Sequence, residues 1–169
     1  ANSDKSDKNM WVIMGNDQKT QLNMCAPCHA RRVKLTKNFV PGKQFEDQYM
    51  VQNISSYYYH EDGQILDEDY VYGSFLQSKM HANGIKCGDC HNVHSLELKF
   101  TGNTLCLQCH VPEIFNSPKH HFHQENTEAS QCINCHMTGR YYMGNDFRHD
   151  HSFRIPRPDQ SVAFGTPNA

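Results

Sequence analysis

Eight cysteines and twelve histidines stand out in this chain of 169 residues. The cysteines fall into pairs, Cys25/Cys28, Cys87/Cys90, Cys106/Cys109 and Cys132/Cys135, each with two residues between its members. His29, His91, His110 and His136 follow directly, so every cysteine belongs to one of four copies of Cys-x-x-Cys-His. Two thiols at this spacing can each form a thioether to one vinyl group of a haem. The residue that follows then lies under the macrocycle and can bind the iron through its imidazole. Three other readings compete: four-thiolate zinc sites, a thioredoxin-like redox pair, or disulfides. None of them needs a histidine after every second cysteine, and the pattern predicts four covalently bound haem c groups with Cys25, Cys28, Cys87, Cys90, Cys106, Cys109, Cys132 and Cys135 as attachment points.

Four irons with proximal His29, His91, His110 and His136 call for four distal ligands, and eight further histidines are available. The distal candidates are His60 in YYYHEDGQ, His94 three residues after His91, one of the HHFH group (His120 and His123 leading, His121 in reserve), and His151 in DHSFRIPRP. His81 is a second reserve candidate, with its neighbour Met80, and His149 ranks behind it. Six-coordinate iron leaves no open position for a substrate, and imidazole in place of Met keeps the potential low. The pattern predicts a low-potential electron relay, not an enzyme. An alternative is a reductase of nitrite, hydroxylamine or sulfur oxyanions with one five-coordinate haem. Site 1 would then be the odd one out, with Arg31, Arg32 and Lys34 nearby to attract anions.

The elements that must position these residues are short. Sites 2 to 4 are crowded into residues 87–136, with 14 residues between His91 and Cys106 and 21 between His110 and Cys132, so they must be close neighbours. Site 1 stands apart, 58 positions before Cys87. The predicted fold is mainly α with much irregular coil, the haems forming the core. Hydrophobic residues make up 37% of the chain and mean hydropathy is −0.76, little for an aliphatic interior. The 17 tyrosines and phenylalanines would pack on macrocycles instead. Expected helices cover 44–58, 70–82 (stopped by Gly84, with Val71, Phe75, Leu76 and Met80 as its apolar stripe), 103–111 (N-cap Asn103) and 129–137. Residues 1–9 read as disordered, 10–151 as a single tetrahaem domain, and 152–169 as an extended tail with Pro156, Pro158 and Pro167.

Sixteen basic and eighteen acidic residues give a net charge of −2, with no long run of either sign and no signature of nucleic-acid binding. No stretch approaches the roughly 18 apolar residues of a transmembrane span. Covalent haem implies a periplasmic or extracellular location, with other redox proteins, cytochromes or copies of the same chain as partners.

The runs VYGSFLQSKM, CGDCHNVHSL, GNTLCLQCH, HHFH, CINCHM and DHSFRIPRPD resemble the multihaem c-type cytochromes related to the nitrification tetrahaem cytochrome and pentahaem nitrite reductase. They are most similar to large exported proteins that join such a module to helical repeats. The resemblance covers roughly residues 22–168. It implies bis-histidine haems, export and electron transfer, with His60, His94, His151 and the HHFH group as distal ligands. Relatives of this kind continue past a segment like GTPNA into another haem motif. Nitrite reductases carry Lys at the catalytic haem, and none of these four motifs does.

Overall fold

A computed structural model describes residues 17–52, 54–93, 95 and 97–167. His94 and the first nine residues lie outside the described residues. The elements run α1 (Gln18–His29), β1 (Arg32–Lys34), β2 (Tyr49–Val51), α2 (Tyr72–Leu76), α3 (Lys79–Ala82), α4 (Cys87–Cys90), α5 (Thr104–Leu107), α6 (Pro112–Phe115), α7 (Pro118–His121), α8 (Cys132–His136), β3 (Gly139–Tyr142), β4 (Asp146–His149) and α9 (Pro158–Phe164). Short helices joined by coil match the expected class. The two sheets are small antiparallel hairpins. In β1–β2, Val33 sits opposite Met50; in β3–β4, Arg140 sits opposite Arg148.

Two apolar clusters hold these pieces together. Ala26 and Ala30 of α1 pack with Phe45, Tyr49 and Tyr72, and Phe45 is fully buried. Its ring centroid lies 5.3 Å from that of Tyr49 and 5.4 Å, edge-on, from that of Tyr72. Tyr59, Ile65 and Tyr142 form the second cluster. Gly73 is required beside it: a Cβ there would sit 2.3 Å from the Tyr59 hydroxyl.

Several expected helices differ. Residues 44–58 are not helical. The Phe45 carbonyl accepts from both Gln48 and Tyr49 in a single turn, after which Tyr49–Val51 pair with β1. The buried Gln48 side chain stabilises this arrangement by bonding Val40 N (2.6 Å) and Val40 O (3.2 Å), satisfying loop backbone locally. The helix expected over 70–82 is split. Ser78 turns extended, and its Oγ accepts from His81 N (2.9 Å), capping a new helix. The buried side chains around this break are Tyr72, Ser74, Phe75 and Ser78, so half of the inward face is hydroxyl where an apolar stripe was expected. Gly84 does terminate the segment, at φ 81°. The helix expected over 103–111 starts after Asn103 as expected but covers only 104–107, and the Asn103 side chain makes no cap bond. That over 129–137 is a 3₁₀ turn followed by α8. The tail from Ser152 is not extended throughout: Pro158 at the first turn, Asp159 beside it and Gly165 in the left-handed region start and stop α9. Beyond α9, Thr166 and Pro167 fold back, Thr166 Oγ1 bonding Asp62 Oδ2 (3.1 Å) and Pro167 O accepting from Gln64 Nε2 (2.8 Å).

Candidate functional site

Each CXXCH motif starts within a helix. At 100° per residue, positions 25, 28 and 29 fall within an arc of about 100° on one side of α1, which lets two thiols and one imidazole address a single planar group. The same holds for 132, 135 and 136 on α8. Asp17 caps α1, its Oδ1 accepting from Thr20 N (2.9 Å). None of the eight cysteines is in a disulfide. Among the described residues no group of three or more His, Cys, Asp or Glu is placed to hold a metal ion by itself.

The motifs are coupled in space. Gln18 Nε2 donates to His81 O (2.8 Å) and Ile85 O (2.7 Å), and Gln21 Oε1 accepts from Gly88 N (2.9 Å), so α1 lies against α4. The Cys25 and Cys87 thiols share a hydrogen bond that makes Cys25 the easier of the two to ionise and Cys87 the harder. Site 1, 58 positions from site 2 along the chain, thus abuts it in space, because the intervening chain loops out through β1, β2 and α2 and returns. Sites 3 and 4 form the equivalent couple, with the Cys132 thiol favoured for ionisation by its bond to Cys106. Asn103 joins them. Its Nδ2 donates to Asn116 Oδ1 and Ser130 O (2.9 Å each), and its Oδ1 accepts from Cys132 N (2.8 Å). Between the couples, Gln108 Nε2 reaches Asp89 O (3.3 Å). Asn103→Ala removes three bonds at the joint, and thermal or denaturant unfolding is expected to show a loss of about 2 kcal/mol. Asn103→Asp, which keeps the acceptor for Cys132 N, is expected to lose less than Asn103→Ala.

Two motif imidazoles face a distant partner. The rings of His91 and His151 are near-parallel (20°) with centroids 6.4 Å apart; those of His120 and His136 lie 6.0 Å apart at 13°. Hydrogen bonds fix the tautomers. Because a carbonyl can only accept, Nδ1 of His136 donates to Arg154 O (2.8 Å), Nδ1 of His151 to His149 O (2.8 Å) and Nδ1 of His149 to Met137 O (2.7 Å). In each, Nε2 keeps its lone pair, the state a metal requires.

Residues 80–115 match the family model described as doubled CXXCH motif. No curated protein and no solved structure matches the chain at a significant level. The match supports a multihaem c-type cytochrome-like protein, in which CXXCH motifs bind haem c covalently for electron transfer. It spans sites 2 and 3 and includes His81.

The other candidate histidines occupy varied surroundings. His60 Nε2 lies 3.2 Å from Arg140 Nη1, which can only donate, and Arg140 is held there by Ile65 O and Gln64 Oε1. His81 packs edge-on against Phe75 (5.5 Å). His121 and His123 are also parallel, at 6.4 Å, but His121 Nδ1 accepts from His123 N, which puts its proton on Nε2. Phe115 stands edge-on between His110 (5.2 Å) and His120 (5.4 Å), linking the site-3 imidazole to the His120–His136 pair.

The residues missed in the sequence are those that hold His151. Ser74 Oγ, fully buried, donates to Asp150 Oδ1 (2.7 Å) and accepts from His151 N (2.9 Å). Asp150 also accepts from Ser152 N (2.8 Å) and Ile65 N (3.2 Å). The only sequence signal for this clamp is the presence of Ser and Asp inside otherwise apolar runs.

Burial lowers the pKa of His151 and His91 below the ordinary 6.5, the neighbouring His29 adding to the effect on His91; burial first and then the Arg140 charge lower that of His60. At His60, which Arg140 holds, the folded chain therefore binds a proton less readily than the unfolded chain, and that contribution to stability falls as pH drops through about 6.5. Melting temperatures are expected to be flat above about pH 7.5 and to decline toward about pH 5.

Proposed function

We propose that the chain is a tetrahaem electron-transfer protein whose haems, one per CXXCH motif, are closely spaced and bis-histidine ligated. One observation carries this: two motif histidines, His91 and His136, each face a second imidazole across a gap that fits an iron. Metal–imidazole bonds of about 2.0–2.1 Å on both sides, plus the offset of each nitrogen from its ring centre, separate the centroids by about 6 Å. The observed 6.4 and 6.0 Å agree. On this reading His151 serves site 2 and His120 serves site 4. The ligands of sites 1 and 3 come from His60, His81, His94 and His123.

Bound haem supplies the Fe(III)/Fe(II) couple. The residues do the rest. The thiols tether it, and the backbone carbonyls of Arg154 and His149 hold the Nδ1 protons so that Nε2 of His136 and His151 points inward. The site 1–site 2 and site 3–site 4 couples, bridged at Gln108, support a continuous path for charge. Among the described residues no helix is long and apolar enough to cross a membrane. We read the chain as periplasmic or extracellular, exchanging electrons with redox proteins, other cytochromes or its own copies. Within the cytochromes that the motif runs resemble, it is a carrier, a complex subunit or the repeating unit of a cytochrome filament.

A reductase with one five-coordinate haem is the second reading. It is favoured by His29 and His110, which face no second imidazole among the described residues. Intact mass and EPR of the holoprotein separate the readings: four covalent haems, all low-spin, are expected. A mass equal to the bare polypeptide sinks both, and a high-spin haem that binds nitrite or cyanide establishes the reductase.

A further inference from the structure

The charges are partitioned by segment, although no run of one sign is long. From residue 18 to 45 there are six basic residues and no acidic one; from 46 to the end there are eight basic and fifteen acidic. The first segment carries α1, with CXXCH site 1 at its C-terminal end, and strand β1. A chain with net charge −2 thus concentrates positive charge around one of its four sites.

The structure displays those cations. Arg32 Nε donates to Pro27 O (2.5 Å), the carbonyl between the two thiols of site 1, and its guanidinium lies over the Tyr49 ring at 5.1 Å. This pins the exposed strand β1 beside the motif, where Cys28 is exposed. Lys34, Lys37 and Lys43 are exposed, and among the described residues none of them is in an ion pair. In the same stretch of chain, Val33, Leu35 and Val40 are 58%, 60% and 48% exposed. Exposed apolar side chains interspersed along the chain with unpaired cations form the kind of surface that gives fast, weak, oriented encounters.

We infer that this face is the docking port for an acidic redox protein, with site 1 as the terminal haem through which electrons pass between the partners. The inference rests on the tetrahaem reading. Its occupant follows from charge complementarity. An unpaired cationic rim attracts an anionic surface, while the acidic remainder of the chain repels that partner from sites 2 to 4 and so selects the end that docks. The step is a single-electron transfer, the partner's cofactor being oxidised as the haem iron goes from Fe(III) to Fe(II), with no bond made or broken.

The test is stopped-flow reduction of the holoprotein by flavodoxin hydroquinone, an acidic protein donor, across ionic strengths. Lys34→Glu/Lys37→Glu/Lys43→Glu is compared with a control of equal charge change, Lys79→Glu/Lys99→Glu/Lys119→Glu. The port variant is expected to lose about 10- to 100-fold in second-order rate at low salt, with the deficit closing above roughly 0.5 M. The control is expected to stay within about threefold. Haem content and EPR must match the parent in both variants, which separates failure of the port from failure of the tetrahaem reading. Equal slowing by both variants overturns the port, as does a salt-independent rate. So does loss of binding to anionic lipid vesicles in the port variant with an unchanged flavodoxin rate, which would make the face a membrane contact.

Discussion

His151→Ala is expected to convert about a quarter of the haem iron from low to high spin. The substitution removes the imidazole facing His91 at 6.4 Å; the other ring in contact with His151 among the described residues is Phe153, at 5.8 Å, which has no atom to bind iron. The new open position should bind cyanide, which the parent is expected not to bind. His151→Met refills it with a thioether, and the spin change should be reversed while the potential of that haem rises. EPR and a spectroelectrochemical titration read both effects. An unchanged low-spin spectrum in His151→Ala would remove His151 from the ligand set.

Asp150→Ala has the largest expected effect on stability. Asp150 is 5% exposed and accepts from the Ser74 hydroxyl and from the backbone of Ser152 and Ile65. Deleting the carboxylate leaves three buried donors without partners, at about 1–3 kcal/mol each. The total is comparable to the whole stability of an ordinary domain, about 5–15 kcal/mol. Asp150→Asn keeps one carbonyl acceptor and should fall between parent and Ala. Ser74→Ala loses one hydrogen bond on each side, and it should broaden or shift the EPR signal attributed to site 2, because His151 N is then unanchored. Denaturant midpoints that coincide for parent and Asp150→Ala would show that the clamp carries no stability.

Pairs and motifs were readable because they are local. CXXCH is defined by three side chains within five residues, and in sites 1 and 4 a single helix places all three together. The stop at Gly84 was readable because a glycine signals it locally, whereas Pro158 and Gly165, which bound α9, went unread because the proline content of that segment suggests an extended tail. The stretch 44–58 misleads for the converse reason. Its apolar spacing suits a helix, but Phe45 and Tyr49 are used in one turn and the chain then pairs with β1, a partner more than a dozen residues away.

Composition, motif spacing and the segment-wise placement of charge are determined by the sequence itself, and so is the chemistry of thiols and imidazoles that attaches a porphyrin. Which imidazole faces which motif is not, because His91 and His151 are 60 positions apart, as are Ser74 and Asp150 by 76. Only the tertiary structure decides these, along with the contact of site 1 with site 2, since they depend on how short helices without long-range signals of their own are brought together by hydrogen bonds at Gln18, Gln21, Asn103 and Asp150.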